Sequence, residues 1–85
     1  MKILHTNTFS SGLKELPLGV KKLYKKQEDL FVIDWKDPRL HTKKLQGGDP
    51  LFSFRITRRY RVLFVFLDKE MALFTSIGHR KDIYE

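Results

Sequence analysis

The stretch LFSFRITRRYRVLFVFLDKEMALFTSIGHRKDIY (residues 51–84) decides the fold. It divides into three runs rich in β-branched and aromatic residues, separated by Thr57-Arg58-Arg59 and by Asp68-Lys69-Glu70. Runs of that length with short polar breaks predict three consecutive antiparallel strands. In such a meander the end of the first strand, the start of the second and the end of the third lie at one edge of the sheet. Arg55, Arg61, His79 and Arg80 are thereby expected in one neighbourhood, although they are far apart in sequence.

The register follows from the phenylalanines. A two-residue turn at Arg58-Arg59 would set Ile56 opposite Arg61 and divide the aromatics between both faces. An odd-length turn or a bulge sets Arg55 opposite Arg61 instead, and collects Phe52, Phe54, Ile56, Val62, Phe64, Phe66 and Phe74 on one side. A slip of one residue moves every side chain to the other face. Burying one large apolar side chain contributes about 1.5–3 kcal/mol, so a small core favours the second arrangement. The opposite face is then expected to carry Arg55, Arg61 and His79, with Leu63 and Leu73 further along. Arg80 points the other way in an ideal strand, and a bulge at Gly78 would re-aim it.

Upstream, Ile3 to Thr8 has the length and β-branching of a first strand. Ser10 and Ser11 are helix N-cap candidates before a short helical turn through Leu13 and Leu16. Pro17 suits a helix start, and a second helix is expected from about residue 17 to 34. Its apolar positions Val20, Leu23, Tyr24, Leu30 and Phe31 recur at helical spacing, with Gln27 interrupting them. Lys21, Lys22, Lys25 and Lys26 fall mostly on the other side, where solvation is the ordinary fate and RNA contact the lesser reading. Trp35-Lys36-Asp37-Pro38 ends the helix, because the residue before a proline is pushed out of helical geometry. Arg39 to Lys44 is a basic connector, and Gly47-Gly48-Asp49-Pro50 makes a turn before the meander. The order β-α-α-β-β-β predicts an α+β fold, a small antiparallel sheet with two helices packed on one face.

Composition narrows the function. Eighty-five residues suit one small domain spanning 1–85. Cysteine is absent, which excludes a disulfide framework, a thiolate nucleophile and a Cys-based zinc site. The longest apolar run, Val62 to Leu67, is far too short to span a bilayer, and the N-terminus lacks the apolar stretch of a signal peptide. The cytoplasm is the expected location, with no membrane association. A net charge of +7 favours polyanions or an acidic protein partner.

Several side chains suit chemistry on a phosphate. Arg61 is either paired with Asp82 or Glu85 or held for an anion, since a guanidinium matches phosphate oxygens bidentately. Arg55 opposite and Arg80 nearby favour the anion, because like charges would otherwise repel. His79 is either an exposed strand-end histidine or a group for proton transfer near neutral pH. Tyr84 either anchors the C-terminus, stacks on a base or donates a proton. Spacing among His5, His41 and His79 does not resemble a metal site, so no metal is expected. RNA cleavage without metal needs a base for the 2′-OH, an acid for the leaving 5′-oxygen and a cation for the pentacoordinate phosphate. There is neither a P-loop nor a Ser-His-Asp arrangement, and no small-molecule cofactor is expected.

In order, Asp37-Pro38-Arg39, Lys44-Leu45 with Gly47, Phe52-Ser53-Phe54-Arg55-Ile56-Thr57, Tyr60-Arg61-Val62-Leu63-Phe64, Ile77-Gly78-His79-Arg80 and Ile83-Tyr84 resemble the signature of the RelE/ParE superfamily of bacterial toxin–antitoxin systems. The match covers nearly the whole chain, and the run Arg55-Ile56-Thr57 before Tyr60-Arg61 is similar to the YoeB branch. The resemblance implies a toxin that cuts mRNA on the ribosome without metal and is neutralised by a cognate antitoxin, here expected to be acidic. It implies Arg61 as the phosphate-stabilising residue, Arg80 and Tyr84 as the C-terminal pair, and His79 as a candidate acid or base. Lys43, Lys44, Arg55, Arg58 and Arg59 become the candidate RNA-binding set. Two departures concern the base. Gln46 stands at a basic position of RelE, and a lysine at 43 or 44 replaces the glutamate of YoeB. The alternatives are a ParE-like gyrase inhibitor, which needs no catalytic residues, and a degenerate member that only binds antitoxin or RNA.

Overall fold

The computed structural model describes residues 1–48 and 50–83. In chain order these form β1 (Lys2–His5), α1 (Asn7–Glu15), α2 (Leu18–Ile33), a 3-10 turn (Pro38–Leu40), β2 (Lys43–Lys44), β3 (Phe52–Arg55), β4 (Tyr60–Asp68), β5 (Met71–His79) and α3 (Arg80–Ile83). The strands make one sheet in the order β1-β5-β4-β3-β2. The α+β arrangement expected from the sequence is the one observed.

The decisive register is the one that the phenylalanines select. Arg55 stands opposite Arg61, Phe54 opposite Val62 and Phe52 opposite Phe64. Phe54, Phe64 and Phe74 consequently share one face and are fully buried there. Phe31 of α2 packs into them, with ring centroids 5.3 Å from Phe54, 5.0 Å from Phe64 and 5.1 Å from Phe74. Offset and edge contacts between such rings add to what burial alone contributes. Trp35, just past α2, closes the far end of this layer with edge-on contacts to Phe52 and Phe66.

The sheet differs from an all-antiparallel one at its β1 edge. β1 runs parallel to β5, pairing Ile3 with Ala72 and His5 with Phe74. The intervening chain, which runs through both helices and β2 to β4, supplies the crossover that parallel neighbours need. β1 also stops at His5 instead of continuing to Thr8, because Thr6 caps α1 in place of the expected serines. The Thr6 hydroxyl accepts the Phe9 backbone N–H at 3.0 Å and donates to the Thr75 carbonyl at 2.8 Å. Ser10 and Ser11 lie inside the helix. Gly12 lets α1 approach β5 closely, as a Cβ there would stand 2.8 Å from the Ile77 carbonyl oxygen.

On α2 the buried positions are Tyr24, Gln27 and Phe31, whereas Leu23 is exposed. The expected apolar stripe is therefore rotated, and the residue that interrupts it belongs to the interior. The Gln27 side-chain amide donates to the Arg39 carbonyl at 3.0 Å and to the Arg55 carbonyl at 2.9 Å. It ties α2 to the end of β3 and to the 3-10 turn. The basic connector also contains the two-residue strand β2, with Lys43 opposite Ser53 and Lys44 opposite Phe52.

Candidate functional site

Because paired residues share a face, the sheet side opposite the phenylalanines carries Ser53 and Arg55 of β3 with Leu63 and Arg61 of β4. Lys43 joins them from β2, while Lys44 pairs with Phe52 and belongs to the other side. His41, Lys43, Ser53, Arg55, Arg61 and Arg80 line a pocket of about 260 Å³ at this end of the sheet. That is below the roughly 300–1,000 Å³ of drug-sized sites and suits a small group such as one phosphodiester. Arg55 of β3 stands directly opposite Arg61 of β4 in this pocket, which places two guanidinium-bearing residues side by side.

Arg61 is 7% exposed. Its guanidinium donates to the Thr57 carbonyl at 2.7 Å, to the Arg58 carbonyl and, at 3.4 Å, to the Tyr60 carbonyl. The loop after β3 therefore wraps the arginine of β4 and fixes its orientation. Arg58 and Arg59, expected as RNA contacts, are exposed on that loop and do not line the pocket. Arg59 contributes its carbonyl, which accepts the Arg80 backbone N–H at 2.7 Å.

The sharpest departure from expectation concerns β5. Phe64 pairs with Phe74 and Leu63 with Ser76, so Thr75 is an extra residue in the ladder. Such a bulge reverses the alternation of everything that follows. Ile77 pairs with Val62 on the core side, Gly78 falls opposite Arg61, and His79 pairs with Tyr60. His79 is thus not on the face of Arg55 and Arg61. It lines a separate pocket of about 280 Å³ with Glu15, Tyr60 and Asp82, on the α1 side. Its ring stands edge-on to Tyr60 with centroids 5.4 Å apart, and its Nδ1 accepts the Lys81 backbone N–H at 3.1 Å. Asp82, a possible partner for Arg61 by sequence, lies in that pocket as well.

The same bulge delivers Arg80 to the cationic pocket, so the re-aiming device is at Thr75 and not at Gly78. The bulge's polar groups are satisfied: the Thr75 hydroxyl donates to the Leu63 carbonyl at 3.2 Å, and its own carbonyl accepts from Thr6. Tyr84, the remaining expected site residue, lies outside the described residues, as does Glu85. Sequence reasoning missed His41 as a pocket residue and Gln27 as the tie behind Arg55. A polar residue interrupting an apolar helical stripe was the available signal for Gln27. Among the described residues, no group of three or more His, Cys, Asp or Glu could hold a metal ion. No helix among them is long and apolar enough to cross a membrane.

No family model matches the sequence, and no curated protein matches it in a sequence comparison. Solved structures do match. The chain superposes on the RelB–RelE antitoxin–toxin complex of Methanococcus jannaschii with a TM-score of 0.77 and 25% identity, covering 96% of this chain and 95% of that one. A YoeB/ParE toxin of Agrobacterium tumefaciens gives a TM-score of 0.78 at 12% identity, over 94% of this chain and 99% of that chain. YafQ of E. coli gives 0.76 at 14% identity, over 99% and 98%. The fold is that of the RelE/ParE-superfamily toxins, as the sequence resemblance implied.

Proposed function

We propose that this chain is the toxin of a type II toxin–antitoxin pair and cuts mRNA on the ribosome without a metal ion. The pocket lined by Lys43, Arg55, Arg61 and Arg80 carries the reading, because it gathers four cations around a space large enough to admit a phosphodiester. In that reading a guanidinium held by backbone carbonyls stabilises the charge that grows on the pentacoordinate phosphate, without reorganising during the step. Arg55 and Arg80 bind the flanking phosphate oxygens, and Lys43 extends the positive surface along β2. The antitoxin is an acidic segment wrapping the +7 surface in the cytoplasm. The RelB–RelE and DinJ–YafQ complexes among the structural neighbours support such a partner.

A gyrase-directed activity is the second reading, favoured by the ParE in the name of the Agrobacterium neighbour. One experiment separates the two. The protein is induced in cells, and protein synthesis and DNA synthesis are followed separately for wild type and Arg61→Lys. Early loss of translation with mRNA cut at codon positions is expected of the wild type. Arg61→Lys keeps a charge but not the planar fork, and cleavage should fall about 10²–10³-fold. Loss of replication with intact mRNA would establish the second reading instead.

A further inference from the structure

We propose that His41 is the residue that takes the 2′-hydroxyl proton in the cationic pocket, an assignment that rests on the nuclease reading above. The pocket's chemistry narrows the choice. Its described lining is His41, Lys43, Ser53, Arg55, Arg61 and Arg80, without a carboxylate. Arginine does not give up its proton in proteins, and imidazole is the side chain that exchanges one near neutral pH. The other histidine at this strand end, His79, lies on the α1 side of the sheet with its Nδ1 occupied by the Lys81 backbone N–H.

The backbone supplies a second, independent observation. His41 is the one non-glycine with positive φ among the described residues, at φ 49° and ψ 43°. It closes the 3-10 turn, its N–H donating to the Pro38 carbonyl at 3.2 Å. This left-handed residue turns the chain between fully buried Leu40 and β2, at the point where His41 joins the pocket lining. Left-handed non-glycines are uncommon, and such conformations cluster at functional sites. Gln27 holds the turn's Arg39 carbonyl and the Arg55 carbonyl on one amide, so His41 and Arg55 are positioned together.

The neutral imidazole accepts the ribose 2′-OH proton while the 2′-oxygen forms a bond to phosphorus. The bond from phosphorus to the 5′-oxygen breaks, and that oxygen takes a proton from water. The products are a 2′,3′-cyclic phosphate and a 5′-hydroxyl, and the imidazolium returns its proton to solvent hydroxide. Among the described residues, the charged groups that line the pocket with His41 are Lys43 from β2, Arg55 from β3, Arg61 from β4 and Arg80 from α3.

The test compares cleavage of a ribosome-bound mRNA by wild type, His41→Asn, His41→Gly and His79→Asn across the pH range in which imidazole titrates. Asparagine and glycine both tolerate the left-handed backbone, so thermal melts should stay close to wild type. His41→Asn should lose about 10²–10⁴-fold in cleavage and the acid limb of the pH profile. Its affinity for a short RNA should stay within about threefold, since the phosphate-holding arginines that dominate affinity remain. Added imidazole should restore part of the activity of His41→Gly, which a structural role would not allow. His79→Asn should keep the acid limb. An active His41→Asn with the limb intact, or a His41→Gly that imidazole does not rescue, overturns the assignment. A wild type that leaves mRNA whole overturns the nuclease reading itself, and the role of His41 with it.

Discussion

Two pockets meet at one end of the sheet, separated by the thickness of its strands, and they have opposite chemistry. On the side opposite the phenylalanines stand Lys43, Arg55, Arg61 and Arg80. On the α1 side stand Glu15, Tyr60, His79 and Asp82. Both draw on β4 and on the β5–α3 segment, and successive residues alternate between them: Tyr60 to one, Arg61 to the other; His79 to one, Arg80 to the other. The pleat therefore sorts the charges, and the residue that sets its phase on β5 is Thr75. A single inserted position decides which of two adjacent basic groups meets the proposed substrate.

Deleting Thr75 is the most direct way to break that division, and the largest effect is expected from it. Without the extra residue, Ile77 leaves the core, His79 turns towards Arg61, and Arg80 turns towards α1. Losing Ile77 from its site would alone cost about 2–5 kcal/mol, a large part of a small domain's stability. The expected outcome is loss of the cooperative thermal transition, followed by circular dichroism. A deletion variant that melts like wild type and still binds RNA would show that the bulge does not assign the two faces.

The elements that were legible in the sequence are those whose side chains repeat. The phenylalanine alternation over residues 52–66 selects the β3–β4 register because any slip would expose several rings at once. Thr75 and Ser76 carry no such preference. Either can face core rim or solvent, so the bulge between them left no mark in the pattern, and His79 was placed on the wrong side as a result. Gln27 reads as an interruption of an apolar stripe because its partners are backbone carbonyls, which any sequence would supply. β2 is two residues long and is defined only by its pairing with β3. The arginines were brought together correctly since the meander alone dictates which strand ends meet. Which of them share a pocket depended on the one position whose side chain is indifferent.

Gln27→Leu sharpens the comparison by disturbing one side only. The substitution keeps size and helix propensity but leaves the Arg39 and Arg55 carbonyls without their donor. Leaving a buried polar group unsatisfied costs about 1–3 kcal/mol, which should appear as a lowered urea midpoint with an unchanged slope. Below the transition, RNA binding and cleavage should weaken, because Arg55 and the turn that carries His41 lose their common anchor. The ring contact between His79 and Tyr60, on the other side, should persist, with the chemical shifts of both rings unchanged. Equal disturbance of both sides would mean that Gln27 supports the whole strand end and not the cationic side.

The smallest effect is expected one step further out, at Asp37. Its carboxylate accepts the Arg39 backbone N–H at 2.9 Å and the Arg39 guanidinium at 3.0 and 2.8 Å, capping the 3-10 turn that leads into His41. Arg39's side-chain hydrogen bonds, aided by its backbone N–H, lower the Asp37 pKa from 3.8 to about 2. A carboxylate whose folded pKa is depressed adds stability above its unfolded value and loses it as pH falls through the folded one. Asparagine caps about as well as aspartate, so Asp37→Asn removes the charge and keeps the cap. The variant should melt slightly below wild type near neutral pH, and the difference should close between about pH 4 and pH 2. A difference that persists at pH 2 would assign the effect to the cap itself. The pair is partly exposed, so salt should shrink the neutral-pH difference as well. Because this turn leads into His41 and is tied through Gln27 to Arg55, any loss of cleavage in Asp37→Asn should come without change at His79, and that asymmetry is what the two-sided arrangement requires.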